Sequence, residues 1–287
     1  MNSSKKLLRV SIVIPVYNEA AHLPACLDAI ARQTELPYEV IVVDNNSTDS
    51  TVAIAERYDF VRVLHEPRQG VVFARDAGFD AVRGAVIGRI DADTIIGEDW
   101  VARLQSIFAD RLVGAVSGSV HYYDMAMSGV LDKIDLYIRR YFAFCLGREV
   151  ALQGANMAIR RSVWRSIRPS LCRRSGMHED FDLSIHANQH DYRVQFDENL
   201  QVSLAARQTE SCLREYAEYI MLSPRTYALH GLKSQRYMYP VVMLAILFYL
   251  PLKLLHRGYD SQTERFSWAQ LFLVSGRTRV NPATYVD

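Results

Sequence analysis

Short runs of β-branched residues alternate with amphipathic stretches along the first third of the chain. Such continuous apolar runs are typical of strands buried on both faces of a parallel sheet. They predict strands at residues 9–16, 39–43, 61–64 and 85–90. Apolar residues at helical spacing predict helices at about 20–33, at 51–58 and from 70 onward. Strands that alternate with helices through short connections predict an α/β fold, a Rossmann-like and mostly parallel sheet flanked by helices.

The pattern is less regular further along the chain. Helices are predicted at residues 99–108, at 125–145 and after 180. Strands are predicted at 113–120 and 151–159, and edge strands at 192–196 and 201–205. The basic stretch 165–176 is interpreted as a loop. For most aromatic residues between 122 and 144 we expect core packing, with sugar stacking or lipid contact as alternatives.

One apolar segment, residues 239–255, stands apart from the rest of the chain. A membrane-spanning helix needs about 20 apolar residues, and Pro251 and Lys253 interrupt this shorter run. Basic and tyrosine residues flank the segment, which suits the headgroups of anionic lipids. We therefore expect residues 237–257 to attach to a membrane surface; a core or oligomer helix and a true span are the alternatives.

Composition narrows the class of protein. The 287 residues are 49% hydrophobic and 23% charged, as in ordinary globular chains. The net charge of +1 gives no field that would attract nucleic acid. The four cysteines are far apart and form no Cys-x-x-Cys pair, which argues against a zinc knuckle and against a disulfide framework. The first nine residues lack the apolar stretch of a signal peptide, so we expect a cytosolic start.

The triplet Asp91-Ala92-Asp93 carries the first candidate chemistry. It directly follows the predicted strand 85–90, which places both carboxylates where open α/β sheets bind ligands. Because Mg²⁺ often binds one or two carboxylates together with substrate phosphates, a metal–diphosphate site is one interpretation. Two solvated loop acids are the other. Neither a Gly-x-Gly-x-x-Gly nor a P-loop motif occurs, which argues against a dinucleotide-dependent dehydrogenase and a P-loop NTPase.

Five segments, including this triplet, place polar residues at predicted strand ends or helix starts. They are residues 12–19, 40–51, 70–78, 91–93 and 178–180. In this order and spacing they resemble the family 2 glycosyltransferases, which are inverting enzymes with the GT-A fold. The resemblance covers residues 8–210. It implies a GT-A catalytic domain over 1–210, with a nucleotide-sugar-binding half at about 8–120 and an acceptor half at about 121–210. Residues 211–287 would form a helical, hydrophobic C-terminal region.

The resemblance implies that the loops after the first two strands hold the nucleotide. Pro15, Tyr17, Glu19 and Asp44 would contact the base and ribose. A carboxylate only accepts hydrogen bonds, so Asp44 would bind a base N–H; alternatively it only caps the next helix. Arg75 would either face the nucleotide or pair with a buried carboxylate.

The resemblance assigns the reaction itself to two acidic motifs. Asp93 would ligate Mn²⁺ or Mg²⁺, Asp91 would contact the ribose or a metal-bound water, and Ala92 would lie at the nucleotide. Asp180 would be the base that takes the proton of the acceptor hydroxyl, and Glu179 would orient the acceptor. The alternative for Glu179 and Asp180 is that their charge stabilises a helix N-terminus.

Further residues have two interpretations each. Gly154 and Asn156 resemble the family's small-residue strand beneath the donor sugar, where Gly154 would allow close approach and Asn156 would bond a sugar hydroxyl. Sheet packing is the alternative for both. His178 would be a ligand or phosphate contact, or else structural. Arg207 and Arg225 would each stabilise the diphosphate or be ordinary surface charges.

The predicted function is that of a metal-dependent inverting hexosyltransferase. It would move one sugar from a nucleotide-sugar, with a UDP-sugar favoured, to a hydroxyl acceptor. The Gln-x-x-Arg-Trp motif of processive members does not occur, so we expect single transfer. The apolar segment favours a lipid-linked or cell-envelope glycan as acceptor and a peripheral position on the cytoplasmic face of a membrane. The alternatives are an inactive nucleotide-sugar-binding scaffold and a nucleotidyltransferase. The oligomeric state is not predicted.

Overall fold

An eight-stranded mixed sheet in the order β3-β2-β1-β4-β7-β6-β8-β5 organises the chain, in a computed structural model that describes residues 8–147, 151–260 and 265–267. Its first four strands are β1 Val10–Val16, β2 Glu39–Asp44, β3 Val61–His65 and β4 Val86–Arg89. They pair in parallel, so their carboxyl ends meet at one edge. This confirms the predicted α/β class.

The other four strands extend the sheet beyond β4. They are β5 Ile95–Ile96, β6 Val113–Tyr122, β7 Met157–Arg160 and β8 Arg193–Leu204. β7 runs antiparallel between β4 and β6, β8 runs parallel to β6, and the short β5 closes the edge antiparallel to β8. The sheet is therefore parallel around β1 and mixed beyond β4.

Helices cover both faces of the sheet. Successive side chains of β1 point to opposite faces, so each face carries apolar residues that a helix buries. Ile12 packs on one face with Leu27 of the first helix, while Val13 packs on the other with Phe79 and Trp164. The helices are α1 Leu23–Ala31, α2 Thr51–Ala55, α3 Val71–Ala81, α4 Trp100–Ile107, α5 Ser128–Leu146, α6 Arg161–Ile167, α7 Glu179–Gln189, α8 Leu213–Leu229 and α9 Tyr239–Gly258. A short hairpin, β9 Tyr259–Asp260 with β10 Arg265–Phe266, follows α9.

Three sequence predictions are corrected by the structure. The expected edge strands 192–196 and 201–205 are one strand, β8, which lies inside the sheet and is irregular where its pairing with β6 shifts register. The strand expected over 151–159 begins only at Met157, because a turn closed by the Asn156 N–H donating to the Gln153 carbonyl precedes it. The stretch expected to be a loop from 165 begins within α6.

The α9 segment forms a continuous helix despite Pro251. Together with the turn before it, Lys233–Gly258 is the single stretch among the described residues that is long and apolar enough to cross a membrane, and only 17% of its apolar window is buried. Along α5, Tyr137 and Phe144 also point outward. Core packing, expected for most aromatic residues between 122 and 144, is therefore wrong for Tyr123, Tyr137, Tyr141 and Phe144, which are all exposed. We call the exposed apolar side chains of these helices the α5–α9 apolar face; they are Val130, Ile134, Tyr137, Tyr141 and Phe144 of α5 with Met243, Leu244, Leu247, Phe248, Leu250, Leu254 and Leu255 of α9.

Candidate active site

The loops after β1 and β2 are tied to each other at the carboxyl edge of the sheet. Asn18, in the left-handed region at φ 54°, accepts from the Thr48 N–H at 2.7 Å and donates its own N–H to Ser47 Oγ at 3.1 Å. The Glu19 N–H donates to Thr51 Oγ1 at 2.8 Å. Asparagine tolerates this backbone conformation better than most residues. The two predicted nucleotide loops therefore form one continuous surface.

Asp44 ends β2 beneath this surface and is only 4% exposed. Its Oδ1 accepts the Ser47 N–H at 3.0 Å, and its Oδ2 lies 2.9 Å from His65 Nδ1. The first contact closes a local turn and does not cap the next helix, which begins at Thr51 without a side-chain cap, so the capping alternative is wrong. Pro15 is half-buried in β1 and Tyr17 is exposed on the adjoining loop. A contact of these residues with a nucleotide stays a prediction.

Asp91, Ala92 and Asp93 form a turn directly after β4. Thr94 closes it, because its N–H donates to the Asp91 carbonyl at 3.1 Å and its hydroxyl accepts from the Asp91 N–H at 3.2 Å. Ala92 is buried, whereas the Asp91 side chain is 43% exposed. Ala92 thus points into the core while Asp91 reaches the solvent-facing edge, as a metal–diphosphate site requires.

Arg207 joins the first loop to this turn. Its Nη1 donates to both carboxylate oxygens of Glu19, at 2.9 and 3.0 Å, and to Asp93 Oδ2 at 3.0 Å. Burial alone would raise the pKa of Glu19, but the bonds and charges of His22 and Arg207 hold it below its usual range. Arg207 is therefore part of the site rather than a surface charge. Arg225, by contrast, is exposed on α8.

Arg89 connects the two acidic motifs, and sequence reasoning missed it. Its guanidinium donates to Glu179 Oε1 at 2.7 Å and to Asp91 Oδ1 at 3.3 Å, with only 4% of the side chain exposed. Burial would lower the pKa of Arg89, but the charges of Glu179, Asp91 and Asp180 raise it, so the cation is retained. The available signal was a lone charge in the otherwise apolar run 85–90.

Glu179 and Asp180 begin α7, and their surroundings separate them chemically. Burial raises the pKa of Glu179, but the charges of Arg89 and Arg75 outweigh it and lower the pKa below its usual range. Burial raises the pKa of Asp180, and the charge of Glu179 raises it further. Two acids whose pKa values are driven apart suit an ion-pair anchor and a proton acceptor respectively.

Asp180 is held by backbone donors. Its Oδ2 accepts the Gly154 N–H at 2.8 Å, and its Oδ1 accepts the Phe181 N–H at 2.9 Å. A Cβ on Gly154 would lie 2.5 Å from the guanidinium carbon of Arg89. Gly154 thus makes room for Arg89 and positions Asp180. Its expected location within a strand is wrong, since it lies in the turn before β7, and its approach to a donor sugar stays a prediction.

Asn156 is completely buried, and its side chain is saturated by protein partners. Its Oδ1 accepts from Trp100 Nε1 at 3.0 Å, and its Nδ2 donates to the carbonyls of Ser119 and Leu200 at 2.9 and 2.6 Å. These bonds tie β6 and β8 to the turn before β7. The geometry therefore favours sheet packing over the expected contact with a sugar hydroxyl.

Arg75 and His178 also have structural partners. Arg75 is fully buried, pairs with Asp76 Oδ1 at 2.7 Å and donates to the Glu179 carbonyl at 2.7 Å. This is the buried-carboxylate alternative, and the second bond fixes the start of α7. The His178 N–H donates to Thr226 Oγ1 at 2.9 Å, while its ring packs on neighbouring aromatic rings. A phosphate contact of His178 stays a prediction.

The donor set of the edge suits a hard divalent cation. Asp91 and Asp93 are two carboxylates one residue apart, and the Glu19 carboxylate shares Arg207 with Asp93. Mn²⁺ and Mg²⁺ prefer such oxygen ligands and complete their coordination with water and phosphate. The positive charge of Arg207 would lie beside the metal ion and would partly balance the negative charge of a bound diphosphate. The residues present therefore fit the predicted ion.

The chain is similar to solved structures of glycosyltransferases, and its fold is of the GT-A type. The mannosyltransferase PcManGT from Pyrobaculum calidifontis, in complex with GDP-Man and Mn²⁺, superposes with a TM-score of 0.66 at 21% identity, over 87% of this chain and 74% of that one. Glucosyl-3-phosphoglycerate synthase from Mycobacterium tuberculosis, with Mn²⁺, UDP-Glc and phosphoglyceric acid, gives 0.55 at 20% identity, over 78% and 80%.

Sequence comparison gives the family. The pattern of glycosyl transferase family 2 matches residues 11–168, more than half of the chain. Glycosyltransferase AglE of Haloferax volcanii is 30% identical over 56% of this chain and 55% of its own length, and GlyG of Streptococcus pneumoniae is 32% identical over 40% of each. The protein belongs to glycosyl transferase family 2. The chain spans about half the length of the curated relatives it matches.

Proposed function

We propose that this chain is a metal-dependent inverting hexosyltransferase. It transfers one sugar from a nucleotide-sugar to a hydroxyl group of a glycan or lipid-linked acceptor. Residues 1–210 act as the catalytic domain, with the donor bound by about 8–120 and the acceptor by about 121–210. Residues 211–287 act as a C-terminal region that associates with a membrane.

The observation that carries the proposal is the position of Arg89. One buried cation contacts Asp91 of the donor-side motif and Glu179 beside the proposed base. The diphosphate side and the acceptor side of a displacement are therefore tied together through a single group. This arrangement suits an inverting transfer, because the attacking hydroxyl and the leaving diphosphate lie on opposite faces of the sugar.

The chain's own groups account for the proton and the charge. Asp180 accepts the proton of the acceptor hydroxyl as the new bond from oxygen to the anomeric carbon forms. The old bond from that carbon to the diphosphate breaks at the same time, and its electron pair leaves with the diphosphate. Mn²⁺ or Mg²⁺, held by Asp93, would supply Lewis-acid stabilisation of the leaving group, and Asp91 would contact the ribose or a metal-bound water. Arg207 adds fixed positive charge next to Asp93.

The surroundings of Asp180 suit the role of general base. Burial and the adjacent Glu179 raise its pKa, which strengthens it as a proton acceptor, while the Gly154 N–H fixes the direction of Oδ2. Arg89 keeps Glu179 ionised. Glu179 is therefore proposed to orient the acceptor through its charge and not to take the proton.

The donor is proposed to be a nucleotide-sugar, and a UDP-sugar is favoured. Related structures were solved with GDP-Man, with UDP-Glc and, for TarS of S. aureus, with UDP-GlcNAc, so both bases occur among neighbours of this fold. The loops of Tyr17 and Asp44 would receive the base. No oligomeric state and no nucleic-acid partner form part of the proposal.

The α5–α9 apolar face supports the lipid part of the proposal. Phe144 is 88% exposed and Leu247 is 69% exposed, and exposed residues recur every three or four positions along both helices. Monomeric soluble proteins rarely expose large continuous apolar patches. We propose that this face lies against the cytoplasmic surface of a membrane and brings Asp180 to a lipid-linked or cell-envelope acceptor.

The experiment that tests this function is a thermal-shift panel of nucleotides and nucleotide-sugars, each with and without Mn²⁺. A ligand at a hundredfold excess over its Kd stabilises a protein by about 2.7 kcal/mol. We expect stabilisation by one nucleotide class that requires Mn²⁺ and is lost in Asp93→Asn. The matched control is Asp59→Asn, an exposed acid away from the sheet edge.

Turnover of the stabilising donor with lipid-linked acceptors then tests the reaction. An inverted anomeric configuration of the product supports single displacement. Metal-dependent binding without transfer or donor hydrolysis would favour the inactive scaffold instead. Incorporation of the nucleotide rather than the sugar would favour a nucleotidyltransferase.

A further inference from the structure

A second group of ligand-type side chains lies on the far side of α7 from Asp180. It consists of Cys172, Asp182, His186 and His230, which each place one ligand atom within 4.8 Å of all the others. Cys172 belongs to the segment between α6 and α7, Asp182 and His186 lie one turn apart on α7, and His230 directly follows α8. The proposed transfer uses none of these four side chains.

The geometry converges on the Asp182 carboxylate, which is completely buried. Its Oδ1 lies 2.9 Å from His230 Nε2 and 3.4 Å from His186 Nε2. Its Oδ2 accepts the Cys172 N–H at 3.0 Å, which fixes the carboxylate plane. The two imidazole rings meet edge to face, with centroids 5.1 Å apart. Both rings therefore present Nε2 to the same point.

One of these two nitrogens lacks a hydrogen-bond partner. His186 Nε2 is buried and, within the described part of the chain, has no hydrogen-bond partner of acceptable geometry, although Asp182 is close. A buried polar atom without a partner is costly and calls for an explanation such as an ion. A cation between the two imidazoles and the carboxylate would satisfy His186.

The chemistry of the four groups selects the cation. Two imidazoles, one thiolate and one carboxylate are all ligands of zinc, and structural zinc sites are almost always tetrahedral. Bond lengths of about 2.0–2.3 Å place tetrahedral ligands about 3.3–3.8 Å apart. Small side-chain rotations would bring the observed separations to these values. Mn²⁺ and Mg²⁺ prefer oxygen ligands, so this set discriminates against the ion proposed for Asp93.

We propose that Cys172, Asp182, His186 and His230 form a tetrahedral zinc site that is separate from the nucleotide site. The zinc ion links Cys172 to Asp182 and so closes the segment that carries Glu179 and Asp180. It also fastens the end of α8 to α7, one turn beyond the bond from the His178 N–H to Thr226. The site is structural, and it does not depend on the proposed transfer.

The test uses Co²⁺ as a spectroscopic probe of the full chain after metal has been removed with a chelator. We expect intense visible absorption from tetrahedral Co²⁺ and a near-ultraviolet thiolate-to-Co²⁺ charge-transfer band, both at one ion per chain. Zn²⁺ should abolish both signals, whereas excess Mn²⁺ should not. Elemental analysis of the protein as purified should find zinc at the same ratio. These measurements need no variant, so they stand even if a variant fails to fold.

Matched variants then assign the ligands. Cys172→Ser should remove the charge-transfer band, and His230→Gln should weaken Co²⁺ binding at least tenfold. Cys212→Ser and His190→Gln, which change exposed residues outside the cluster, should leave the spectrum unchanged. Asp93→Asn should also leave it unchanged, which separates this site from the nucleotide site.

Three results would overturn the proposal. One is a weak octahedral Co²⁺ spectrum that Mn²⁺ displaces and Asp93→Asn removes, because the ion would then occupy the oxygen site. Another is a charge-transfer band that survives Cys172→Ser. The third is the absence of stoichiometric Co²⁺ or Zn²⁺ binding to folded protein, which would leave the cluster as a hydrogen-bonded group of Asp182 and two histidines. Each result could occur with the transferase activity fully intact.

Discussion

Two regions of the molecule distribute charge and apolar surface in opposite ways. Beneath the candidate active site, Arg75, Arg89 and Glu179 place charges inside the protein. On the α5–α9 apolar face, side chains such as Phe144 and Leu247 point outward. Removing an ion from water costs several kcal/mol unless partners compensate. Burying apolar surface stabilises a protein by about 25 cal/mol for each Å² removed from water, and exposed apolar side chains lack this stabilisation.

The difference lies in where each cost is offset. Within the charged region, Asp76, Asp91 and Glu179 compensate the two arginines inside the chain itself. The apolar face is offset only when another apolar surface covers it. We therefore expect changes in the charged region to affect folding and turnover, and changes on the apolar face to affect association alone.

The largest expected effect is that of Arg89→Met. It leaves Glu179 and Asp91 without their shared cation, and removing one partner of a buried ion pair typically costs about 3–5 kcal/mol. The free energy of unfolding, measured in urea, should fall by about this amount. The matched control is Arg214→Met, which breaks the exposed pair with Glu218 on α8 and should change little. Equal losses in the two variants would mean that the buried network has no special role.

Asp180→Asn should lower turnover far more than stability. The amide oxygen can still accept one of the two backbone N–H groups that Asp180 binds, those of Gly154 and Phe181, but the amide NH2 then faces the other, so the free energy of unfolding should fall by about 1–3 kcal/mol. An amide also cannot take the acceptor proton. Loss of a general base lowers the rate about 10²–10⁴-fold. We expect this loss in kcat with nucleotide binding retained, measured by product formation with donor hydrolysis subtracted. Asp180→Asn with full transfer activity would exclude Asp180 as the base.

The strands could be predicted because their signal is local. Continuous apolar runs located β1 to β4 to within about two residues. The strand β5 has two residues and exists only because Ile95 and Ile96 pair with β8. No periodicity can be detected in two residues. The irregular pairing of β8 likewise divided one strand into two predicted ones.

The candidate active site shows the same contrast between local motifs and long-range contacts. Asp91, Asp93, Glu179 and Asp180 follow from motifs of two or three consecutive residues. The roles of their partners depend on contacts between distant parts of the chain, since Arg89 reaches Glu179 across 90 residues and Arg207 reaches Asp93 across 114. The proposed zinc site also depends on contacts between distant parts of the chain. Cysteine spacing argued against a zinc knuckle, while the four residues of the proposed site meet only through the packing of α7 against α8.

Gly154→Ala probes how tightly the charged region is packed. The new Cβ would lie 2.5 Å from the Arg89 guanidinium, which cannot shift without lengthening its bonds to Glu179 and Asp91. Overpacking of this kind costs about 1–3 kcal/mol. Gly129→Ala is the matched control, because a Cβ there meets nothing within 4 Å and alanine favours the helix by up to about 1 kcal/mol. Denaturant unfolding of both variants should give changes of opposite sign. A Gly154→Ala variant as stable as the parent would show that Arg89 can adjust.

Leu247→Glu should have the smallest effect on folding and still change the behaviour of the apolar face. A substitution at an exposed position usually alters stability by less than about 0.5 kcal/mol. Burial of a leucine in a bilayer contributes about 1.5 kcal/mol or more, so binding to vesicles should weaken about tenfold or more.

Flotation with vesicles of phosphatidylcholine and phosphatidylglycerol measures this binding, and Leu112→Glu is the control. Leu112 is as exposed as Leu247 but lies just before β6, away from the α5–α9 apolar face. If both variants float like the parent, the apolar face is not the membrane contact. If only Leu247→Glu is released while its urea unfolding is unchanged, exposed apolar surface on this chain acts in association and the buried charges act in folding and turnover.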